Sequence, residues 1–209
     1  MLKLKKLKHL SLGTNLITKI PKRLSELKEL TILDISNNEI EQFPECICSL
    51  PKLEYLFVGS NNFNSIPSCI GDIKNLKVLD ISSLNLEKIP DNLYELKKLK
   101  ELGLEYNSLK EISKKISSLT NLVKLYLQRN RLENIPEEIS NLKNLEMLFL
   151  NFNKLQNIPK EILKLKKLRK LGIKGNELNN IEEIEKYFLK IEENYQDIYQ
   201  NKNILMIKK

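Results

Sequence analysis

The sequence repeats itself every 23 residues, and this periodicity restricts the possible fold more than any other feature. A motif of the form Leu-x-x-Leu-x-Leu-x-x-Asn recurs without insertion or deletion. Its eight copies begin at Leu7, Leu30, Leu53, Leu76, Leu99, Leu122, Leu145 and Leu168. A repeat of this length buries its apolar side only by stacking on its neighbours, which predicts an elongated solenoid.

Each copy carries seven apolar positions, numbered 1, 4, 6, 11, 14, 18 and 21 from its first leucine. Of the 56 such positions, 55 hold Leu, Ile, Val or Phe, and the exception is Glu185 in the last copy. Positions 3 to 7 alternate with a period of two, which predicts a short strand whose positions 4 and 6 face the core. Stacked copies would form a parallel sheet with strands ~4.8 Å apart.

Position 9, where the chain turns away from the strand, is asparagine in seven copies. Its amide can satisfy backbone groups of that turn and of the next copy, which would otherwise be buried without partners. We therefore predict a structural ladder of Asn15, Asn38, Asn61, Asn107, Asn130, Asn153 and Asn176. The fourth copy has Leu84 here, which cannot make these bonds. Either neutral drift or a local widening of the arc explains this leucine.

Positions 14 and 15 begin the return path and read Ile-Pro in five copies. Proline suits the first turn of a helix, and the apolar residues that follow have helical spacing. We predict one or two turns of α- or 3₁₀-helix on the back of each copy. Ser113 replaces the proline in the fifth copy, and we interpret this change as neutral.

These residues resemble the leucine-rich repeat family over about residues 1–184. The 23-residue version with Ile-Pro is similar to the Ras-suppressor-like intracellular class and to bacterial proteins of the same kind. The resemblance implies an α/β solenoid, a right-handed horseshoe with a parallel concave β-sheet and short helical or 3₁₀ turns on the convex side. It also implies that the concave sheet recognises another protein. Fold alone does not name that partner.

The two ends of the chain depart from the repeat. Met1 and Leu4 fall at positions 18 and 21 of a partial copy, so either the adjacent lysines protect an open edge or a longer protein continues upstream. Beyond the solenoid of residues 1–184, we predict a capping segment over 182–209. Its apolar residues have helical spacing over about 182–200, and residues 204–207 are expected to add an edge strand or an apolar lock.

Composition argues against most site chemistry. The chain has one histidine, three cysteines and no tryptophan, so a catalytic triad would depend on His9 and a Cys2His2 zinc site lacks its ligands. We expect no enzyme activity, no cofactor and no metal. The first residues alternate lysine and leucine, unlike a signal peptide, and no apolar run is long enough to span a membrane. As written, the chain is expected to be cytoplasmic, or secreted if an upstream signal is missing.

Positions 3, 5, 7 and 8 should face the concave side and hold 32 residues. About two of the 13 Tyr and Phe residues are expected there by chance, yet six occur. Rings suit pleated surfaces, but adjacent exposed aromatics are also common interface anchors. We predict a partner-binding surface of two patches. It comprises Asp34, Tyr55, Phe57, Asp80, Tyr106, Tyr126, Arg129, Met147, Phe149 and Phe152.

Within that surface, Tyr126 and Phe149 should be neighbours, and Arg129 should stack between the rings of Tyr106 and Phe152. The concave charges sum to zero, with acidic residues in the first half and basic residues in the second. The net charge of +8 therefore lies elsewhere. This distribution disfavours a specific nucleic-acid interface and favours a dipolar protein partner.

The three cysteines are expected to be reduced and structural, because no secretion signal is visible. Cys46 and Cys69 share one repeat position and should lie on adjacent coils, with Cys48 nearby. Gly172 and Gly175 are expected only to flatten the surface.

The leading hypothesis is a non-catalytic protein-binding scaffold. The alternatives are a secreted or surface recognition protein, a fragment of a larger signalling protein, or a binder of anionic surfaces.

Overall fold

One short strand from each repeat copy builds a single curved sheet. The computed structural model describes residues 4–180, 182, 184 and 204–206. Eight strands pair in parallel and in chain order. They are β1 (His9–Ser11), β2 (Ile32–Asp34), β3 (Tyr55–Phe57), β4 (Val78–Asp80), β5 (Glu101–Gly103), β6 (Lys124–Tyr126), β7 (Met147–Phe149) and β8 (Lys170–Gly172). Equivalent repeat positions lie directly opposite one another, so each position forms a column across the sheet.

The strands cover positions 3 to 5, whereas the sequence predicted positions 3 to 7. Hydrogen bonds between copies continue beyond the strands, as from the Ile35 N–H to the Phe57 carbonyl. The chain then turns at position 8, where every copy has a positive φ between 52° and 71°. Left-handed backbone ends a strand, which explains why the regular ladder is shorter than the alternating pattern.

The return path of each of the first seven copies carries a 3₁₀-helix, which is one of the two predicted alternatives. The described helices are Lys22–Glu26, Glu45–Ser49, Ser68–Asp72, Asp91–Glu95, Lys114–Ser118, Glu137–Asn141 and Lys160–Lys164. A proline precedes six of them. The Ser113 hydroxyl accepts a hydrogen bond from the Lys115 N–H (3.2 Å), so this residue caps its helix in place of the proline.

The predicted inward positions form one continuous core. In the second to seventh copies, all of them are buried except Ile89, which is half-buried against the core. Leu7, Leu10, Leu12 and Ile17 of the first copy are also only partly buried, since no described coil covers their outer side. The uninterrupted burial of the inner copies explains why 23-residue units without cores of their own make one body.

Six of the seven asparagines predicted to form the ladder make hydrogen bonds between successive coils. Asn61 is typical, because its amide donates to the carbonyls of Ile35 (3.0 Å) and Val58 (2.9 Å), while its Oδ1 accepts from the Ile40 N–H (3.0 Å). Each such side chain therefore joins two successive coils. Asn15 differs, since it is exposed and its amide donates only within its own turn.

Leu84 interrupts the ladder and joins the core, with 1% of its surface exposed. In other copies the Oδ1 of a position-9 asparagine accepts the N–H at position 11 of the preceding copy. No described group replaces that acceptor for the Phe63 N–H. The following residue, Asn85, has φ 56°, a left-handed conformation that position 10 has in no other described copy. The substitution thus changes the turn locally and leaves the stacking intact.

The last strand of the sheet runs in the opposite direction. β9 (Ile204–Met206) pairs antiparallel with β8, with Leu205 opposite Leu171. This pairing confirms the predicted edge strand. The predicted helix over 182–200 and Glu185 lie outside the described residues, except that Glu182 and Ile184 are helical and Ile184 is buried.

The oxidation state of the cysteines differs from the prediction. Cys48 and Cys69 form a disulfide between adjacent convex coils, and Cys46 is free. Cys46 and Cys69 share a repeat position and therefore point in the same direction, towards the preceding coil. Cys46 accordingly contacts the Pro21 carbonyl (3.8 Å), while Cys69 meets Cys48. The prediction of three reduced thiols is wrong because it followed repeat position and the lack of a signal, and ignored side-chain direction.

Candidate partner-binding surface

The parallel register brings the predicted surface residues onto one face of the sheet. Tyr106 and Phe152 are the most exposed of its rings, with 53% and 43% of their surface accessible. Arg129 is also exposed. The remaining residues are half-buried side by side in their columns, namely Asp34, Tyr55, Phe57, Asp80, Tyr126, Met147 and Phe149. Large rings on an open sheet face are typical of a surface that a partner covers.

Tyr126 and Phe149 form a stacked pair at the centre of the second patch. Their ring centroids lie 5.5 Å apart and their planes differ by 7°, which confirms the predicted contact. The pair follows from the register, because the two residues are direct partners in β6 and β7. Gly172 follows Phe149 in the same column, and a Cβ there would lie 2.8 Å from the Phe149 Cδ1. The glycine therefore leaves room for the ring.

Tyr106, Arg129 and Phe152 form a second stack along the column at position 8. The Arg129 guanidinium carbon lies 5.2 Å from the Tyr106 ring centroid and 4.7 Å from that of Phe152, as predicted. All three residues have φ values of 55° to 57°, so the same left-handed turn aligns them. Gly175 follows, and a Cβ on it would meet the Phe152 ring at 2.5 Å. Gly172 and Gly175 therefore leave space for the neighbouring rings, which the prediction of a merely flattened surface did not include.

The first patch combines rings with acidic side chains. Tyr55 lies opposite Val78, and Phe57 lies between Asp34 and Asp80 in its column. The Asp34 carboxylate accepts the N–H (2.9 Å) and the hydroxyl (2.6 Å) of Ser36, so its own turn satisfies one oxygen. Asp34 is therefore less available to a partner than the sequence alone suggests.

A shallow depression of about 330 Å³ lies beside Tyr55 along the edge of the sheet. Two valines, three lysines and one glutamate complete its lining, namely Val78, Val123, Lys77, Lys100, Lys124 and Glu101. The apolar residues make its floor suitable for an aliphatic or aromatic side chain of a partner.

The predicted acidic and basic halves of the surface meet at an ion pair. The Lys124 ammonium lies 2.9 Å from Glu101 Oε2, across the pairing of β5 and β6. This contact raises the pKa of Lys124, chiefly through its hydrogen bond with Glu101. The two charges thus neutralise each other, which leaves the acidic residues of the first half and the basic residues of the second half to face a partner.

Glu105 and Gln128 are adjacent in the column at position 7, and each has one buried side-chain oxygen without a donor. Glu105 Oε2 and Gln128 Oε1 are inaccessible to water, and no described group donates a hydrogen bond to either. Burial raises the pKa of the Glu105 carboxyl above its ordinary value of 4.5, and the charges of Asp80 and Glu101 raise it further. The sequence did not single out Gln128, and the acceptor cluster becomes visible only when the columns are assembled.

We expect Glu105→Gln to stabilise the protein at pH 7 and to change nothing below about pH 4. The unfolded chain ionises this carboxyl near its ordinary pKa, whereas the native chain resists ionisation. Stability present at low pH is therefore lost as the pH rises through the raised native pKa, and the neutral amide avoids that loss. Urea unfolding midpoints at both pH values measure the difference. Exposed Glu39→Gln is the control, and equal effects of both variants at pH 7 would contradict the prediction.

The structure also bears on metal ligands and on membrane-spanning helices. Within residues 4–180, 182, 184 and 204–206, no three His, Cys, Asp or Glu side chains are grouped as metal ligands. In the same part of the chain, no helix has the length and hydropathy needed to cross a bilayer. His9 lies in β1 on the outer strand and is exposed, away from both aromatic patches.

Solved structures with the same fold come from bacteria and plants. A leucine-rich repeat protein of Leptospira interrogans is 32% identical over 90% of this chain, with a TM-score of 0.74. This chain spans 54% of that protein's length. An internalin C2 of Listeria monocytogenes is 25% identical, with 83% of this chain and 74% of that chain covered and a TM-score of 0.75.

A third similar structure is the Arabidopsis receptor kinase HAESA in complex with a peptide hormone and a co-receptor. It is 27% identical, covers 83% of this chain and 30% of its own, and has a TM-score of 0.73.

No curated protein matches the sequence. A family model described as a leucine-rich repeat region matches residues 1–113 and again residues 68–201. Because these matches include the whole repeat region, the chain belongs to the leucine-rich repeat family.

Proposed function

We propose that this chain is a non-catalytic scaffold that binds a protein partner through its concave face. The observation that carries the proposal is the pair of aromatic stacks on the open sheet. Tyr126 lies against Phe149, and Arg129 lies between Tyr106 and Phe152. Rings and arginine are enriched among the residues that dominate binding energy, and stacking holds these side chains in place before a partner arrives.

The size of the surface agrees with this role. A standard interface buries roughly 1,600 Å² in total, or about 800 Å² on each partner. Strands lie ~4.8 Å apart, so the five strands from β3 to β7 span about 19 Å between β3 and β7. The leucine-rich repeat fold commonly mediates protein–protein interaction. An enzymatic role would require Glu101 and Glu105 on the open face to act as an acid–base pair. Glu101 is already paired with Lys124.

Phe149→Ala is expected to weaken partner binding by ~2 kcal/mol, or about 30-fold in Kd. The ring is half-buried on the surface and outside the core, so its loss removes an anchor without opening a cavity in the solenoid. Phe57→Ala is expected to act similarly in the first patch. Affinity capture from the native lysate, comparing the wild type with the Phe57→Ala/Phe149→Ala double variant, identifies the partner and tests the site.

Circular dichroism verifies that the double variant is folded. A matched control, Lys22→Ala/Lys114→Ala, removes two exposed side chains from the convex helices. We expect the control to retain the partner and the double variant to lose it. Equal capture by all three proteins would move the binding site away from the concave aromatics.

A second candidate function is recognition outside the cytoplasm, as a secreted or surface protein. The observation that favours it is the Cys48–Cys69 disulfide, because such bonds persist mainly in oxidising compartments.

Maleimide labelling of the native protein in unreduced cell extracts tests the compartment. An oxidised chain has one free thiol, Cys46, whereas a chain kept in a reducing compartment has three. A single label supports the exported form. Labelling of three thiols on freshly extracted protein would contradict export and support a cytoplasmic location.

A further inference from the structure

The shallow depression beside Tyr55 is a part of the sheet edge that a partner can reach. Its volume of about 330 Å³ lies at the lower end of the range for ligand sites, roughly 300–1,000 Å³. Tyr55, Val78 and Val123 of its lining are half-buried, and Lys100 is exposed. Its lining includes none of the residues of the two aromatic stacks, so the depression is a separate feature of the surface.

Apolar surface forms the floor of the depression. Tyr55 and Val78 are direct partners in β3 and β4, so the ring and the branched side chain lie side by side. Val123 directly precedes β6 and adds apolar surface two copies further along the sheet. A side chain that covers these three residues removes their exposed carbon atoms from water, which is favourable in proportion to the area buried. The floor therefore suits one apolar side chain of a partner.

Two of the three lysines in the lining are paired within the chain. Lys77 Nζ lies 2.7 Å from Glu54 Oε2, and Lys124 Nζ lies 2.9 Å from Glu101 Oε2. The hydrogen bond with Glu54 raises the pKa of Lys77, as expected for an ammonium that an acceptor holds. Each of these carboxylates thus has its own counter-ion.

Lys100 is the third lysine of the lining, and its charge is left over. Backbone hydrogen bonds place it between Lys77 and Val123 in the column at position 2, so neither column neighbour is acidic. No carboxylate among the described residues pairs with its ammonium. Even with Glu54 counted, three lysines outnumber two glutamates here. The depression therefore offers a partner an unpaired cation beside apolar surface.

Apolar surface next to an unpaired cation selects a particular kind of segment. An apolar side chain on the floor excludes water from the neighbourhood of Lys100, and charges interact more strongly where water is excluded. A nearby acidic residue offsets the lost hydration of the ammonium, whereas a neutral or basic residue does not. An extended segment directs alternate side chains to the same face, so the apolar and acidic residues would be two positions apart.

We propose that the protein partner carries an apolar residue and an acidic residue two positions apart, with the apolar side chain in the depression beside Tyr55 and the carboxylate on the Lys100 ammonium. The inference rests on the proposed function, because it names the chemistry of a segment that binds beside the concave aromatics. It also sets the register of that segment, which spans the third to sixth copies.

Three pools of synthetic dodecapeptides test the proposal. Two central residues, two positions apart and present in both orders, are leucine with glutamate, leucine with glutamine, or alanine with glutamate. All other positions are randomised. The glutamine pool removes only the charge, and the alanine pool removes only the large apolar side chain. Retention of each pool on the immobilised full chain is measured at about 150 mM salt, which limits long-range attraction by the net charge of +8.

The wild type should retain the leucine–glutamate pool about fivefold better than either other pool. Lys100→Gln should abolish most of the preference for glutamate over glutamine. Its matched control, Lys110→Gln, removes the same charge from an exposed residue of the same copy outside the depression and should keep the wild-type ratio. Val78→Thr/Val123→Thr keeps the branched shape and should abolish most of the preference for leucine over alanine. Circular dichroism verifies that each variant is folded.

The outcomes separate this proposal from the proposed function. Loss of each preference in its own variant supports the depression as the binding site. Retention of no pool, equal retention of all pools by the wild type, or equal effects of Lys100→Gln and Lys110→Gln overturns it. Dependence of only one preference on its variant overturns the paired recognition as well. The capture experiment with Phe57→Ala/Phe149→Ala judges the proposed function independently, so a partner lost by that variant leaves the scaffold function standing when the depression fails.

Discussion

Replacing Asn107 with alanine is expected to lower the free energy of unfolding by about 3 kcal/mol. Its Oδ1 accepts from the N–H groups of Leu84 (3.1 Å) and Leu86 (3.0 Å), more than any other described ladder member. Its amide also donates to the Ile81 and Leu104 carbonyls. Truncation leaves several buried groups without partners, next to the copy where Leu84 has already weakened the ladder. Urea unfolding followed by circular dichroism measures the loss.

Asn15→Ala is the matched control for that experiment. Asn15 has the same repeat position but is exposed, and its amide bonds only within its own turn. Water replaces those bonds, so we expect a change of less than about 0.5 kcal/mol. Similar losses for both variants would mean that the ladder does not hold the coils together. Hydrogen exchange should also quicken near residue 107 and remain slow in distant copies, because repeats couple mainly to their neighbours.

Removing the disulfide is expected to have an effect of similar size. Cys48 and Cys69 are separated by 21 residues in sequence, and closing a loop of this length stabilises a protein by about 3 kcal/mol. Cys48→Ala/Cys69→Ala removes the bond without leaving a free thiol. We expect the double variant to unfold at a lower urea concentration, and reductant to shift the wild type by a similar amount.

Cys46→Ala provides the control for the thiol itself. Cys46 is half-buried on the same 3₁₀-helix and forms no disulfide, so its loss should cost at most about 1 kcal/mol. Reductant should still destabilise this variant as it does the wild type. A wild type indifferent to reductant would show that the second and third coils hold together without the covalent bond.

Much of the fold follows from the repeat alone. The spacing of Leu56 and Val58 predicts an inward strand, and the asparagine at position 61 predicts the bridge between coils that the structure contains. These features are local or recur at a fixed interval, so each copy supplies independent evidence for its neighbours. The register follows as well, since equal copies without insertions can stack in only one way. This is why the Tyr126–Phe149 stack and the Arg129 sandwich were predictable.

Other features depend on directions and distances that repeat position does not define. Side chains at the same repeat position point in the same direction, so Cys69 forms its disulfide with Cys48 and not with Cys46. The left-handed turn at position 8 shortened the strands and aligned Arg129 with its rings. Partner residues remain predictions, because a ring suited to a sheet and a ring suited to an interface look alike in sequence.

The solenoid, its inward positions, the asparagine ladder and the columns of the concave face all follow from the order of residues along the chain. A strict 23-residue period makes each of these a consequence of stacking equal units. The disulfide, the capping role of Ser113 and the buried acceptors of Glu105 and Gln128 emerge only in three dimensions. These depend on side chains from different coils meeting in three dimensions, where burial and the absence of a donor become visible only after the coils are stacked.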